Sequence, residues 1–403
     1  MATSLDEILP ETTGSGAPAK LPVNRSYGKL VYLESIRGIA AFIVVLHHLL
    51  MAYGQGLFSG DLSHSWLRYL RPVVIVLANG PLSVRVFFVL SGFVLSLSFF
   101  RSGDRNLVSS AALRRYFRLV VPVFIAVMLG WGLLETGCYW NGEAAKLMPF
   151  FESGAKNWLG DLVSFRGMPF FEALYQGLVG VFGNYDANHS LNTSLWTMPI
   201  ELAGSFLIFA VLSLFGSFPR RGILYAVLAV VARGYYLDFL CGIVLCDLYT
   251  RREKLSQPFY APLPVALVLM GGGVWLGAGG PWPTWLAAHT GIPLDSTWSS
   301  LAATMIVGGG LVSPPLQRFL EFKPLAFLGK ISFALYVVHM PIVLSLGCWF
   351  YVELRNATFG HSVSAGAVTL LCIVASWLAA WGLYYAGDLQ GVRLGKWVER
   401  RFR

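Results

Sequence analysis

Apolar residues run along this chain in long unbroken blocks, not in the alternating or single-face patterns of water-soluble elements. The blocks fall at 38–53, 82–100, 119–134, 195–216, 222–235, 237–249, 262–280, 299–316, 327–351 and 363–386. Most approach the ~20 residues a helix needs to cross a bilayer core. The pattern therefore predicts an all-α membrane bundle of about ten transmembrane helices. The first block serves as signal anchor. The fifth and sixth are short and parted by Arg233-Gly234, which predicts a bent or half-buried hairpin. Another apolar stretch, 168–183, contains Pro169 and several glycines and reads as a re-entrant or interfacial piece. Residues 1–29 are polar, rich in Gly, Pro and Ser, and lack the apolar core of a signal peptide, so a disordered tail is expected there. Residues 30–390 form the membrane domain and 391–403 a basic tail. No internal repeat is visible.

Composition narrows the class. Of 403 residues, 56% are hydrophobic and only 13% charged, and the mean hydropathy is +0.61. So few charges cannot cover a water-facing surface, which excludes ordinary soluble, coiled-coil and disordered chains. A net charge of +9 would suggest nucleic acid in a soluble protein; on these blocks it reads as topology, and no nucleic-acid partner is expected. With the N-terminus in the cytoplasm, 21 of the 30 Lys/Arg fall inside: Lys20, Arg25 and Lys29, Arg101 to Arg118, Arg220-Arg221, Arg251 to Lys254, Arg318 to Lys330, and the C-terminal tail. Outside stand Arg68, Arg71, Lys146, Lys156, Arg166 and Arg355, while Arg37, Arg85 and Arg233 lie in or at the ends of blocks. This positive-inside distribution predicts that both termini are cytoplasmic. Sequons at Asn188, Asn192 and Asn356 fall outside and only Asn24 inside, which predicts a lumenal outer face and a glycoprotein. The five cysteines are scattered with no CxxC, and no HExxH, Walker A or GxGxxG context occurs, so neither a metal nor a resident cofactor is expected.

Ionisable groups inside apolar blocks are informative because each costs ~2.5–3.5 kcal/mol to insert. Arg37 and His48 are eleven residues apart, three helical turns, and so share one face ~16 Å apart along the axis; His47 points roughly 100° away. Arg115-x-x-Arg118 places two guanidiniums on one face, able to grip one anionic group. Glu201, within Trp196-Thr197-Met198-Pro199-Ile200-Glu201, must pair with a cation or protonate. His339 stands mid-block in Tyr336-Val337-Val338-His339-Met340-Pro341. Arg85 reads as snorkelling outward, Asp238 and Asp247 as structural, and the Gly271–Gly273 and Gly308–Gly310 clusters as close helix packing.

These elements in this order resemble the acyltransferase-3 family of integral membrane acyltransferases. The likeness starts at Leu33-Glu34-Ser35-Ile36-Arg37-Gly38-Ile39-Ala40-Ala41, with the family's Arg-x₁₀-His pair at Arg37 and His48. It continues through Val86-Phe87-Phe88-Val89-Leu90-Ser91-Gly92-Phe93, Arg115-x-x-Arg118 and Leu195-Trp196-Thr197-Met198-Pro199-Ile200-Glu201. It ends at Leu328-Gly329-Lys330-Ile331-Ser332-Phe333-Ala334-Leu335-Tyr336 and His339. The Pro199-Ile200-Glu201 form is similar to the fungal and some bacterial branches, and the chain as a whole resembles the stand-alone members of a fungal-like branch. Arg85 departs from the acidic residue the family often carries before Phe-Phe-Val-Leu-Ser-Gly, and His47 adds a second histidine beside the motif position.

The resemblance implies transfer of an acyl group, usually acetyl, from acyl-CoA as co-substrate to a hydroxyl of a carbohydrate, lipid or secondary-metabolite acceptor. In that light Arg115 and Arg118, helped by Arg37, suit the phosphates of acyl-CoA. His48 is the expected general base, with Glu201 orienting an imidazole or arginine. His339 and Ser91 are the expected acceptor-binding residues. The enzyme would be a multi-pass protein of the plasma membrane or an endomembrane, in contact with membrane lipid. A proton-coupled transporter using His48, Glu201 and His339 as a relay is the alternative, against which stands the lack of an inverted repeat.

Overall fold

The computed structural model describes residues 30–54, 67–149, 158–165, 167–256, 260–278, 285, 288–289 and 297–402. The expected tail at 1–29 with its Asn24 sequon, and Lys156 and Arg166, lie outside the described residues. Among the described residues every regular element is a helix. The longer ones are α1 (Val31–Tyr53), α2 (Gly80–Ser102), α3 (Arg105–Glu135), α4 (Met198–Phe215) and α5 (Arg221–Val231). They are followed by α6 (Tyr235–Lys254), α7 (Leu263–Gly277), α8 (Ser299–Val312), α9 (Lys323–Ile342), α10 (His361–Leu383) and α11 (Leu389–Phe402). Each of the ten apolar blocks falls on one of these helices or a bent pair of them. Six described helical stretches are long and apolar enough to cross a membrane, and a seventh arises if α8 and Pro314–Leu320 make one bent span. The chain is thus a helical membrane protein.

The blocks that fall short of a full span do so for physical reasons. The hairpin at 222–249 is unequal, with 11 residues in α5 and 20 in α6. Helix α6 carries Asp238 and Asp247, both buried, and each is neutralised within the protein. Arg85 donates to Asp238 at 3.2 Å and to Ser300 Oγ at 3.2 Å, and its guanidinium lies 4.8 Å from the Tyr235 ring. Arg85 therefore turns inward; it does not snorkel outward. Asp247 accepts from Arg221 at 2.9 Å and from Arg251 at 2.8 Å. After α8 the chain bends by 98° at Ser313, where Pro314 and Pro315 lack the N–H groups that would continue the ladder. The stretch 168–183 is helical from Phe170 to Gly183 in short pieces after Pro169. The basic C-terminus is helical through Phe402; Gly391, Gly395 and Val398 lie buried, and Glu399 binds Arg114 at 2.8 Å, so α11 packs on α3.

Lipid tails offer helices no hydrophobic gain for association, so close packing through small residues must supply it. The most extensive pairings are α2 with α6, α1 with α9, and α7 with α8. In the first, a methyl at Gly242 would land on the Val89 carbonyl oxygen, and one at Gly92 on that of Phe239. In the second, a methyl at Gly38 would strike Gly329 and one at Gly329 the Glu34 carbonyl. In the third, Gly273 faces the Ala302 carbonyl and Gly309 faces Met270. These contacts fix the register of each pair, and with it the side chains on either side of each glycine. We expect Gly242→Val to force α2 and α6 apart at a cost of about 1–3 kcal/mol, read as a lowered Tm in detergent, whereas Gly222→Val, where a methyl meets open space, should leave Tm unchanged.

Candidate active site

The Gly38–Gly329 contact brings the Arg37 and His48 face of α1 against α9. His48 Nδ1 and His339 Nε2 are 3.0 Å apart. The tautomers are assigned from the remaining bonds. His339 Nδ1 lies 2.8 Å from the Tyr336 carbonyl and 3.3 Å from that of Leu335, so it must be the protonated nitrogen. Neutral His339 then accepts at Nε2, His48 donates from Nδ1, and the lone pair of His48 sits on Nε2. His339 is fully buried, while His48 is partly exposed and stacks on Trp158, ring centroids 5.9 Å apart at 13°. His47 turns the other way, with Nδ1 2.9 Å from the Ala78 carbonyl. The structure thus separates the two neighbouring histidines.

Pro341 explains why backbone carbonyls are available beside His339. A proline there has no N–H for the Val337 carbonyl one turn back. The loop before α4 takes up that oxygen: Asn192 Nδ2 donates to it at 2.6 Å. Ser194 Oγ reaches the Tyr336 carbonyl at 3.3 Å, and the Tyr336 hydroxyl binds the Ser194 carbonyl at 2.7 Å and Thr197 Oγ1 at 2.8 Å. Two phenols brace this loop, Tyr139 on the Leu191 carbonyl and Tyr185 on that of Thr193, each at 3.1 Å. Burial pushes both phenols above their usual range, so both remain donors. Asn192 is buried and fully engaged, which corrects its reading as a glycosylation sequon; Asn188 and Asn356 are exposed.

Further along the bundle, Glu201 of α4 meets Arg115 of α3 in a buried ion pair. The same Glu201 oxygen accepts from Ser91 of α2 at 2.7 Å, and Arg115 Nε donates to Ser205 Oγ at 2.7 Å. Arg37 Nε donates to Ser332 Oγ at 3.0 Å, and Ser332 in turn to the Gly329 carbonyl. Arg118 is exposed and makes no hydrogen bond or ion pair with a described residue, yet lies within electrostatic reach of both Arg37 and Arg115. Glu34 and Asp388 also act on Arg37. Glu201 acts on Arg37 as well and, on its other side, on Tyr336.

The residues singled out from sequence therefore form two groups on one polar column: Arg37, Arg115, Arg118, Glu201 and Ser91 in one, His48 and His339 in the other. His339 touches His48 itself. Sequence reasoning missed Asn192, Ser194, Thr197 and Tyr336, as well as the stacking of Trp158 on His48. Pro341, two residues after His339, was the available signal, since it predicts an orphaned carbonyl at Val337.

A profile of the acyltransferase-3 family, described as an acyltransferase domain, matches residues 30–381. The chain belongs to this family. It is similar to the O-acetyltransferase PaAT-1 of Phomopsis amygdali, at 25% identity over 92% of this chain and 84% of that one. It is also similar to the acyltransferase R4 of a Phoma species, at 22% over 88% and 93%, and to the acyltransferase clz18 of Cochliobolus lunatus, at 22% over 81% and 85%. No solved structure matches the chain. The acyltransferase is thus a helical membrane enzyme.

In this acyltransferase, Arg115→Ala leaves the Glu201 carboxylate without its cation and should cost about 3–5 kcal/mol. Glu201→Gln keeps a hydrogen-bonding partner for Ser91 but leaves a guanidinium that cannot deprotonate without its anion, and should lower Tm by at least as much when the two variants are compared in one detergent.

Proposed function

We propose that this acyltransferase moves an acyl group, acetyl in the simplest case, from acyl-CoA to a hydroxyl of a carbohydrate, lipid or secondary-metabolite acceptor. The observation that carries the reading is the His339–His48 bond, because it leaves the lone pair of His48 Nε2 for an acceptor hydroxyl. The name of the Phomopsis amygdali relative, an O-acetyltransferase, supports oxygen as the acceptor atom and acetyl as the group. The proposed topology has ten crossings with both termini in the cytoplasm. Helices α5 and α7 are its short members, α6 is admitted because its carboxylates are paired, and α8 is a bent crossing. This orientation gives Arg37 and Arg118 to the side where acyl-CoA is made.

In the proposed reaction, Arg37, Arg118 and the remaining face of Arg115 bind the phosphates of acyl-CoA. The ~16 Å along α1 from Arg37 to His48 suits a pantetheine arm laid along the polar column. His48 Nε2 takes the acceptor proton as the hydroxyl oxygen bonds to the thioester carbonyl carbon. The carbon–sulfur bond then breaks, and the leaving thiolate takes that proton back from His48, giving ester and free CoA. His339 is a positioning residue: it fixes the tautomer of His48 and shares the charge formed there. Trp158 backs the imidazole on its other face. Glu201 holds Arg115 and Ser91 and acts as a positioning residue within the arginine group.

His48→Ala should lower kcat at least ~100-fold while isothermal titration shows acetyl-CoA binding unchanged. His339→Gln can still accept the His48 Nδ1 proton through its amide oxygen and should retain more kcat than His339→Ala. A His48→Ala enzyme with wild-type kcat overturns the mechanism.

Arg118→Ala should instead raise KM for acetyl-CoA about tenfold with kcat little changed, the loss of one charge-assisted contact of ~1.5 kcal/mol. The difference from wild type should shrink at high salt.

A further inference from the structure

A pocket of about 130 Å3 opens where the C-terminal ends of α2, α4 and α6 meet the start of α5. It shares no residue with the polar column. Phe99 and Phe100 form one wall, and Arg221, Arg251 and Lys254 supply three cations. The Asp247 carboxylate, 2% exposed, is consumed by Arg221, Arg251 and the Tyr225 hydroxyl at 3.1 Å, so the lining keeps a net positive charge. The Arg221 guanidinium is held rigidly: it donates to the Gly216 carbonyl, pairs with Asp247, and lies 5.2 Å from the Phe100 ring. Its Nε is buried and has no hydrogen-bond partner among the described residues. Lys254 is exposed and likewise makes no hydrogen bond or ion pair with a described residue. Arg221 also opens α5, whose N-cap has no side-chain hydrogen bond, so the first backbone N–H groups of the helix add to the positive potential.

The occupant is indicated by what adjoins the pocket. Helix α5 has no buried residue, and it presents Ile223, Val227, Val230 and Val231 outward, 56–71% exposed. Such a face belongs against acyl chains, not water. A phosphate seat at the end of a lipid-facing helix matches the geometry of a phospholipid, headgroup in the pocket and chains along α5.

We propose that this pocket binds the phosphate headgroup of an anionic phospholipid in the cytoplasmic leaflet. The leaflet rests on the topology proposed above; the phosphate chemistry does not. The Lys254 ammonium is the donor that reaches the headgroup oxygens, and the clamped Arg221 guanidinium adds fixed positive charge beside it.

The test measures binding by the purified full-length protein, using native mass spectrometry and thermal shift. The probes are dihexanoyl-phosphatidylglycerol, dihexanoyl-phosphatidylcholine, glycerol 3-phosphate and coenzyme A. Saturable stabilisation by phosphatidylglycerol but not phosphatidylcholine supports the proposal, provided Lys254→Gln and Arg221→Gln each weaken it about fivefold and Arg318→Gln does not. Lys254→Gln decides alone if Arg221→Gln fails to fold. Equal response to both lipids, or wild-type binding by Lys254→Gln, overturns it. So does equal competition by glycerol 3-phosphate or coenzyme A, which would make the pocket a site for soluble phosphates. A His48→Ala protein should bind the lipid like wild type, so loss of the lipid site and loss of the acyltransfer mechanism read out separately.

Discussion

A guanidinium and a carboxylate persist away from water inside a helix bundle only by meeting each other, and the Arg115–Glu201 pair is where this protein satisfies that demand. The pair does more than neutralise charge. Arg115 stands on α3, Glu201 and Ser205 on α4, and Ser91 on α2, so one hydrogen-bonded group sets the rotation of three helices. Rotating any of them by one residue would strand a charge in an apolar setting. The network also brings Glu201 within electrostatic reach of both Arg37 and Tyr336.

The histidine group depends on a different constraint, that every buried carbonyl needs a donor. Pro341 frees the Val337 carbonyl, and Asn192 supplies the donor. As a consequence the segment 190–197 enters the bundle to the level of Tyr336, and α4 starts there with Glu201 in its first turn. Proline placement on α9 thus positions a residue on α4. The same α9 segment turns His339 so that Nδ1 meets backbone and Nε2 meets His48. The orientation of the imidazole pair follows from helix geometry, and among the described residues none of the bonds that fix it comes from a carboxylate.

Much of this was legible in the sequence because it is local. Each apolar block became helix, since length and apolarity act on contiguous residues. The cost of burying charge singled out Arg37, Glu201 and His339, because it depends on residue type more than on neighbours, and the Arg-x-x-Arg spacing singled out Arg115 and Arg118. What could not be read was register. Whether His47 or His48 faces α9 is settled by Gly38 against Gly329, a contact nearly 300 residues apart in the chain. Arg85 looked like an outward-reaching cation because its partner Asp238 stands 153 residues away. Asn192 looked like a surface sequon for the same reason: the tripeptide is local, and the Val337 carbonyl that occupies it is not.

The separation of the two groups has an electrostatic reason within the proposed chemistry. A polyanionic co-substrate calls for clustered cations, whereas a base that must gain a proton is hindered by them. One unit charge ~16 Å from an imidazolium costs about 1 kcal/mol at an effective dielectric of 20, and three arginines would multiply that. Glu201, paired to Arg115 and acting on Arg37, offsets part of the positive charge of the arginine group, and Glu34 and Asp388 act on Arg37 as well. Moving the imidazoles nearer the arginines would shorten the column but raise the barrier to proton uptake. Moving them further would exceed the reach of a pantetheine arm. The three-turn spacing on α1 reconciles the requirements.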